Sequence, residues 1–142
     1  MLRHGGLGLL LKLAMELAEI YQCFSDRTRL RMLHLLANGP LCVCHFQEIL
    51  REPQVKISKH LGYLRARGVV ETRREGNFIV YALPARTSRQ LALNLDCLKE
   101  CVRADPAFEA DLRKLRKLQQ TCCKPEAELP RSARALVAPR GD

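Results

Sequence analysis

Two cysteines separated by one residue, Cys42 and Cys44, are the side chains in this chain best suited to bind a soft metal ion or metalloid. Thiolate sulfur is a soft ligand that selects thiophilic centres. Residues two positions apart in an α-helix point about 200° away from each other. If both cysteines lie in a regular helix, their sulfurs can reach one ion only when that helix is distorted. We therefore expect a switch in which ligand binding and the regular helix oppose each other.

Four of the five further cysteines are candidate ligands of such a site. Cys122 and Cys123 are favoured as accessory metal ligands, because two adjacent thiols have little structural purpose. Cys97 and Cys101 are four residues apart and fall on one flank of a helix, with small residues beside a helix interface as the alternative. Cys23 is expected in the core. Seven cysteines in 142 residues are too few for a disulfide scaffold and indicate thiols in a reducing compartment.

The length and net charge of the chain limit the class of protein to which it can belong. A chain of 142 residues predicts one main domain, and a net charge of +9 with 47% hydrophobic residues indicates a folded protein with a polyanionic partner. The longest apolar stretch, residues 7–17, contains Lys12 and Glu16 and is shorter than the roughly 18 residues of a membrane span. It also lacks the small-residue cleavage site of a signal peptide. We predict a cytoplasmic protein without membrane contact.

Apolar residues recur every three or four positions in the pattern of amphipathic helices. Ser25 or Asp26 is expected to cap the second helix, which ends near Gly39. The third and fourth helices are joined by a turn at residues 51–54 and form a helix-turn-helix. The apolar sets of successive helices are Leu10, Leu13, Leu17, Ile20 and Phe24; Leu30, Leu33 and Leu36; Val43, Phe46 and Leu50; Ile57, Leu61 and Leu64; Leu91, Leu95, Leu98 and Val102; and Phe108, Leu112, Leu115 and Leu118.

A β-hairpin is predicted directly after the helix-turn-helix. Residues 69–74 and 78–83 are rich in β-branched and aromatic side chains and flank the turn sequence Glu75-Gly76-Asn77. A basic hairpin in this position is a wing. The predicted fold class is therefore mainly α with a β-hairpin wing, that is, a winged helix-turn-helix.

Most of the positive charge falls in this region. Residues 51–90 contain nine basic and three acidic side chains, a net charge of +6. The outward face of the fourth helix, which is expected to include Tyr63, offers polar groups for base edges and phosphates, and the wing offers contacts to the DNA backbone or minor groove. Ordinary solvated charges are the alternative. The predicted DNA-binding residues are Gln54, Lys56, Ser58, Lys59, His60, Arg73 and Arg74.

Four motifs occur in order and at compatible spacing, within residues 15–105. They are Ser25–Leu33, Leu41–Cys44, Gln54–Leu61 and Arg74–Tyr81. With these motifs the chain resembles the ArsR (ArsR/SmtB) repressors, in particular their arsenic-responsive branch. The resemblance implies a homodimer, joined through its first and last core helices, that leaves its double-stranded operator DNA when a metal or metalloid binds. It also implies that Cys42 and Cys44 are ligands of As(III) or Sb(III), which act as inducers and not as required cofactors.

The chain departs from the arsenic-responsive pattern at two positions. The resemblance implies a third sulfur three residues after Cys44, where this chain has Gln47, and an acidic residue directly after Cys44, where it has His45. A third thiol is then expected from one of the later cysteine pairs. His45 as a ligand would instead favour Cd(II) or Zn(II), whereas a histidine that is hydrogen-bonded within the protein or exposed is the alternative.

Two other functions compete with a metalloid-responsive repressor. The segment from Cys23 to Arg29 has the Cys-x5-Arg spacing of phosphatase-like and arsenate-reductase loops. Such a loop wraps backbone amides around an oxyanion, usually with the help of glycine, and this segment has none. We therefore predict that the protein is not an enzyme. The second competitor has the same fold but is released from DNA by thiol oxidation or persulfide formation.

The chain is predicted to have three parts. Residues 1–105 form the winged helix-turn-helix DNA-binding and dimerisation domain, and residues 106–123 form a C-terminal helical extension that carries the vicinal cysteines. Residues 124–142 contain three of the seven prolines and little apolar periodicity. This composition predicts a disordered tail.

Overall fold

The secondary structure follows the predicted order. The computed structural model describes residue 8 and residues 16–119. The fold class, mainly helical with a hairpin after a helix-turn-helix, is confirmed. Predictions for Leu10, Leu13, Cys122, Cys123 and the tail lie outside the described residues. The elements are α1, helical over the described residues 16–24; α2 (Arg27–Leu36); α3 (Val43–Leu50); α4 (Gln54–Ala66); β1 (Glu71–Glu75); β2 (Phe78–Ala82); α5 (Arg89–Cys101); and α6 (Pro106–Leu118).

Side-chain caps begin three of the helices. Asp26 caps α2 by accepting a 2.9 Å hydrogen bond from the backbone N–H of Arg29. Ser88 caps α5, and Asp105 caps α6 with Pro106 as the first helical residue. Each cap satisfies a backbone donor that has no partner inside the helix. These caps set where the helices around the candidate site begin.

The wing is shorter than predicted at its start. Val69 and Val70 are buried in the core and precede β1, which begins at Glu71. β1 and β2 pair antiparallel from Glu71 opposite Ala82 to Glu75 opposite Phe78. The two-residue turn between them has Gly76 at a φ of 60° in its first position, as a type II′ turn requires.

The last helix belongs to the same core as the helix-turn-helix. α6 packs on α2 and α3, and its Phe108 and Leu115 are buried in the hydrophobic cluster. Arg31 of α2 forms a bidentate ion pair with Asp111, with both oxygens at 2.7 Å and the carboxylate 1% exposed. The ammonium group of Lys114 donates to the carbonyl oxygen of Ile49 at the end of α3. α6 therefore fixes the scaffold that presents α3 and α4.

No helix in the part of the chain that the structure describes combines the length and apolar character needed to cross a membrane.

Candidate thiol site and nucleic-acid interface

Cys42 and Cys44 lie at the start of α3, but not as two residues of one regular helix. Cys42 is the N-cap, with extended backbone angles of φ −88° and ψ 165°, and α3 begins at Val43. The two sulfurs are consequently 2.7 Å apart. The expectation that the pair points in opposite directions was wrong, because an N-cap residue is not subject to the helical rotation per residue. A common ligand can reach both sulfurs while α3 remains regular.

His45 is buried against the same pair of cysteines. The backbone N–H of Cys42 donates to Nδ1 of His45 at 3.4 Å, and the Cys42 sulfur lies 3.3 Å from that nitrogen. Burial alone would raise the pKa of Cys42, but the hydrogen bonds with His45 and Cys44 outweigh it and lower the pKa to about 6. The lowered pKa favours the thiolate form of Cys42, which is the form that binds soft metals.

The pair is accessible from one side. Cys42 is 6% exposed, whereas Cys44 is exposed to solvent. Within residues 16–119 no group of three or more His, Cys, Asp or Glu side chains is arranged to hold a metal ion. The described residues thus bring together Cys42 and Cys44, and the vicinal pair proposed as accessory ligands lies outside them.

The other described cysteines occupy different environments. Cys23 is completely buried in the core, as predicted, and this burial raises the pKa of its thiol. Cys97 and Cys101 are exposed on α5 with their sulfurs 3.7 Å apart. The pKa of Cys101 is raised by its hydrogen bond with Cys97 and by the charge of that neighbour. The sequence prediction that these two residues share one helix flank is confirmed.

The residue before Cys42 connects the thiol site to the wing. Leu41 is 2% exposed and forms an isolated antiparallel bridge with Tyr81 of β2. The N–H of each residue donates to the carbonyl oxygen of the other, at 2.9 and 2.8 Å. Any movement of Cys42 therefore acts directly on the two hydrogen bonds that join Leu41 to the wing.

The outward face of α4 carries most of the predicted DNA-binding residues. Gln54, Ser58 and Lys59 are exposed, and Lys56 is exposed while its ammonium group contacts Glu52 at 2.9 Å. The apolar residues predicted to turn inward, Ile57, Leu61 and Leu64, are fully buried.

Two further residues on this face were missed by the sequence analysis. Val55 is 79% exposed, and Gly62 is an exposed residue at which an added Cβ would have no neighbour within 4 Å. Their signal in the sequence is helical phase, because both lie on the side of α4 opposite the buried leucines.

Two residues predicted on the outward face of α4 lie at its margin instead. The ring of Tyr63 lies between the guanidinium groups of Arg29 and Arg67, at 4.3 and 3.5 Å from its centre, and so binds within the protein. His60 is half-buried, and this burial lowers its pKa despite the opposing charge of Asp26. The margin of α4 that carries these two residues therefore faces α2.

Arg73 and Arg74 are both exposed on β1. Arg73 contacts the carboxylate of Glu75 at 3.1 Å, and Arg74 donates to the carbonyl oxygen of Gly76 at 3.3 Å. Neighbouring residues of a strand point to opposite faces. The two guanidinium groups therefore leave the hairpin on different sides, close to its tip.

Comparison with known proteins places these features beside transcriptional regulators. The family described as "Bacterial regulatory protein, arsR family" matches residues 26–72. An uncharacterised helix-turn-helix transcriptional regulator of Methanocaldococcus jannaschii is 48% identical over 65 residues, covering 45% of this chain and 73% of the relative. An arsenical resistance operon repressor of Escherichia coli is 34% identical over 91 residues, covering 61% of this chain and 78% of the relative.

Another relative is named for a different metal, and some relatives are longer than the region they share with this chain. A homologue of the cadmium resistance regulatory protein CadC from Staphylococcus aureus is 32% identical, covering 54% of this chain and 64% of the relative. The chain spans 51% and 57% of the length of two arsenic resistance regulators of Pseudomonas putida that it matches. The transcriptional repressor BigR of Xylella fastidiosa has a similar solved structure, with a TM-score of 0.56, 30% identity and coverage of 68% of this chain and 95% of that one.

Proposed function

This chain belongs to the ArsR family of bacterial transcriptional regulators, and on this premise we propose that it is a repressor released from its operator by As(III) or Sb(III) at Cys42 and Cys44. The observation that carries the proposal is the contact between these two sulfurs at the start of α3, the first helix of the helix-turn-helix, which directly precedes the helix that faces DNA. The names of the E. coli and P. putida relatives support arsenic as the inducer.

A thiophilic centre bound by both sulfurs imposes its own bond lengths and angles on them, and we propose that this displaces Cys42, the N-cap residue of α3. The adjacent bridge between Leu41 and Tyr81 carries that displacement to β2. We propose this bridge, in place of a distorted α3, as the element through which the ligand and DNA oppose each other.

The proposed DNA surface consists of the outward face of α4 and the wing. Gln54, Lys56, Ser58, Lys59 and His60 contact base edges or phosphates in the major groove, and Arg73 and Arg74 contact the backbone or the minor groove. We add Val55 to this surface, because a 79% exposed valine on the face of a reading helix suits contact with a thymine methyl group.

A homodimer in the cytoplasm is the proposed acting form. Tyr21 of α1 and Leu93 of α5 are 56% and 57% exposed, which supports apolar contact of these helices with a second copy. A two-fold symmetric dimer presents two α4 helices to two operator half-sites about one helical turn apart.

Cys122 or Cys123 is the proposed source of a third sulfur for As(III). His45 favours an alternative inducer, because its Nδ1 lies 3.3 Å from the Cys42 sulfur and imidazole with thiolates is a ligand set for Zn(II) or Cd(II). The CadC homologue supports the same alternative. Thiol oxidation or persulfide formation at the Cys42 and Cys44 pair is a further one.

Fluorescence anisotropy on DNA from upstream of the protein's own gene tests the proposal. The protein is kept reduced with a phosphine, because a dithiol reductant would itself bind arsenite. As(III), Cd(II), Zn(II) and a peroxide are added in separate titrations. We expect release by As(III) at a near-stoichiometric concentration.

The other outcomes contradict the proposal. Release by Cd(II) or Zn(II) alone would assign the pair to a divalent metal. Release by peroxide alone would assign it to redox sensing. If the reduced protein fails to bind this DNA at any salt concentration, the autoregulatory repressor itself is refuted.

A further inference from the structure

The last helix, α6, carries basic side chains that the proposed function does not use. Arg113, Arg116 and Lys117 are exposed, and their spacing of three and four residues puts them on one side of the helix. We call these three residues the α6 basic face. The opposite side of α6 is buried in the core through Phe108 and Leu115. The helix is therefore buried by residues other than those of the basic face.

A hydrogen bond places the C-terminal half of α6 beside the turn of the helix-turn-helix. The ammonium group of Lys114 donates to the carbonyl oxygen of Ile49 at 3.3 Å, and Ile49 is the last residue but one of α3. Arg51, which follows α3 and opens the connection to α4, is exposed and has a φ of 53°. The α6 basic face therefore lies within one helical turn of a residue that contacts the start of this connection.

Electrostatic contacts also connect α6 to the beginning of α4. The hydrogen bonds of Asp111 raise the pKa of Arg31, and the charge of Glu52, between α3 and α4, acts in the same direction. Glu52 itself contacts the ammonium group of Lys56 at 2.9 Å. α6 therefore flanks the helix-turn-helix where the proposed reading helix begins.

We propose that the α6 basic face binds phosphates of double-stranded DNA beside the major groove that α4 enters. The proposal rests on the DNA-binding role proposed above and extends it to a helix outside residues 26–72, the part of the chain that matches the family. Guanidinium and ammonium groups bind phosphate oxygens and carry no information about sequence. α6 therefore adds affinity and not specificity.

The composition of this face favours DNA over an anionic membrane surface. A helix that lies on a membrane inserts apolar side chains among the lipids. Among the described residues, the large hydrophobic side chains exposed to solvent are Tyr21, Val55, Ile79 and Leu93, and α6 contributes none of them. A charged face without exposed large apolar side chains matches a phosphate backbone, for which charge supplies the affinity.

Arg113→Gln with Arg116→Gln, made in the full chain, tests the proposal. The ion pair that is lost, between Arg113 and Glu109, is exposed. The matched control is Lys99→Gln with Arg103→Gln, which removes the same charge from exposed ion pairs near the end of α5. Basic residues near a helix C-terminus also stabilise the helix dipole. Urea denaturation of both variants therefore separates a loss of stability from a loss of DNA contact.

Anisotropy titrations at several salt concentrations measure the affinity for the operator duplex and for a duplex of scrambled sequence. Each lost phosphate contact lowers the slope of log affinity against log salt by about 1. We expect the α6 variant to lose about 2 per protomer on both duplexes and to bind each at least about tenfold more weakly at about 0.15 M salt. The ratio of the two affinities should stay as in the parent, because phosphate contacts do not read bases.

Two further variants sharpen the test. The control with Lys99→Gln and Arg103→Gln should keep a slope close to that of the parent. Arg113→Lys with Arg116→Lys keeps both charges on α6 and should also keep the slope, because counterion release depends on charge.

Several results would overturn the proposal. Equal slopes in the α6 variant and the control would remove α6 from the DNA surface and leave the repressor function standing, as long as the parent prefers its operator. A loss confined to the operator duplex would assign the residues to base reading. If binding to vesicles that contain phosphatidylserine falls in the α6 variant while DNA binding is unchanged, the face belongs to a membrane surface.

The two duplexes also distinguish this proposal from the one on which it rests. If the parent binds both duplexes equally and the α6 variant binds both more weakly, the phosphate contact of α6 is supported and the operator-specific repressor is refuted. If the parent binds neither duplex, both proposals are refuted.

Discussion

At the scale of single residues, a substitution at Cys44 tests ligand binding without disturbing the fold. Cys44 is exposed, whereas Cys42 is buried and caps α3. We expect Cys44→Ser to bind operator DNA as the parent does but to lose release by As(III), because one of the two adjacent sulfurs is gone. Anisotropy titrations measure both properties. Cys97→Ser, which also removes an exposed thiol, is the matched control and should be released normally. Normal release of Cys44→Ser would move the inducer site elsewhere.

Gly62 provides a test of how closely DNA approaches α4. An added Cβ at this position meets no atom within 4 Å, so internal packing does not require the glycine. Replacing a mid-helix glycine by alanine stabilises a helix by about 1 kcal/mol. We therefore expect Gly62→Ala to raise the free energy of unfolding by about that amount while it weakens operator binding. Urea denaturation and anisotropy measure the two effects. Unchanged DNA affinity would show that DNA does not contact this part of α4.

At the scale of elements, the buried ion pair between Arg31 and Asp111 holds α6 to α2. Removing one partner of a buried pair leaves the other charge uncompensated and costs about 3 kcal/mol or more; since Arg31 is 24% exposed, we expect the lower figure for Asp111→Ala in urea denaturation. Glu109→Ala, which removes an exposed pair with Arg113 on the same helix, should cost about 0.5 kcal/mol or less. Similar losses for both variants would refute the role assigned to Asp111.

The contact between α2 and α6 also makes stability depend on pH. Burial lowers the pKa of His34, although the charge of Asp111 opposes this, and its ring packs against Phe108 at 5.4 Å between centres. Because the folded pKa lies below the unfolded value of about 6.5, the unfolded state takes up protons first. The stabilisation is complete above pH 6.5 and is lost as the pH falls toward the folded pKa.

We therefore expect the free energy of unfolding to fall between pH 7 and pH 5, and His34→Leu to reduce this fall. Leucine keeps an apolar side chain against Phe108 and removes the titrating group. Part of the fall should persist in the variant, because burial also lowers the pKa of His60. Urea denaturation at the two pH values measures the effect. An identical fall in parent and variant would exclude His34 as a source.

The differences between sequence and structure also belong to the scale of elements. Periodicity located the helices, and preferred cap residues such as Asp26 located the start of α2. Cysteine is not a preferred cap, so nothing in the sequence placed Cys42 outside α3, and the orientation of its sulfur was wrong. Helical phase placed Tyr63 outward, because one of the two guanidinium groups that contact its ring, that of Arg29, comes from α2 and not from α4. Sequence spacing was sufficient to predict that Cys97 and Cys101 share one flank, because both residues lie on one helix.

At the scale of the whole molecule, the net charge of +9 favours any polyanion, and only its placement distinguishes a reading surface from general attraction. Lys59 is exposed on the outward face of α4, whereas Lys99 is exposed on α5 beside Asp96. Lys59→Ala and Lys99→Ala each remove one charge from the same total. A phosphate contact releases a bound counterion, and its loss lowers the slope of log affinity against log salt by about 1.

We expect this change for Lys59→Ala, together with weaker operator binding, and a slope close to that of the parent for Lys99→Ala. Anisotropy titrations on operator DNA at several salt concentrations measure both slopes. Equal changes in the two variants would mean that net charge alone governs the affinity, and they would remove Lys59 from the reading surface. A larger change for Lys59→Ala would instead locate the phosphate contact on the outward face of α4.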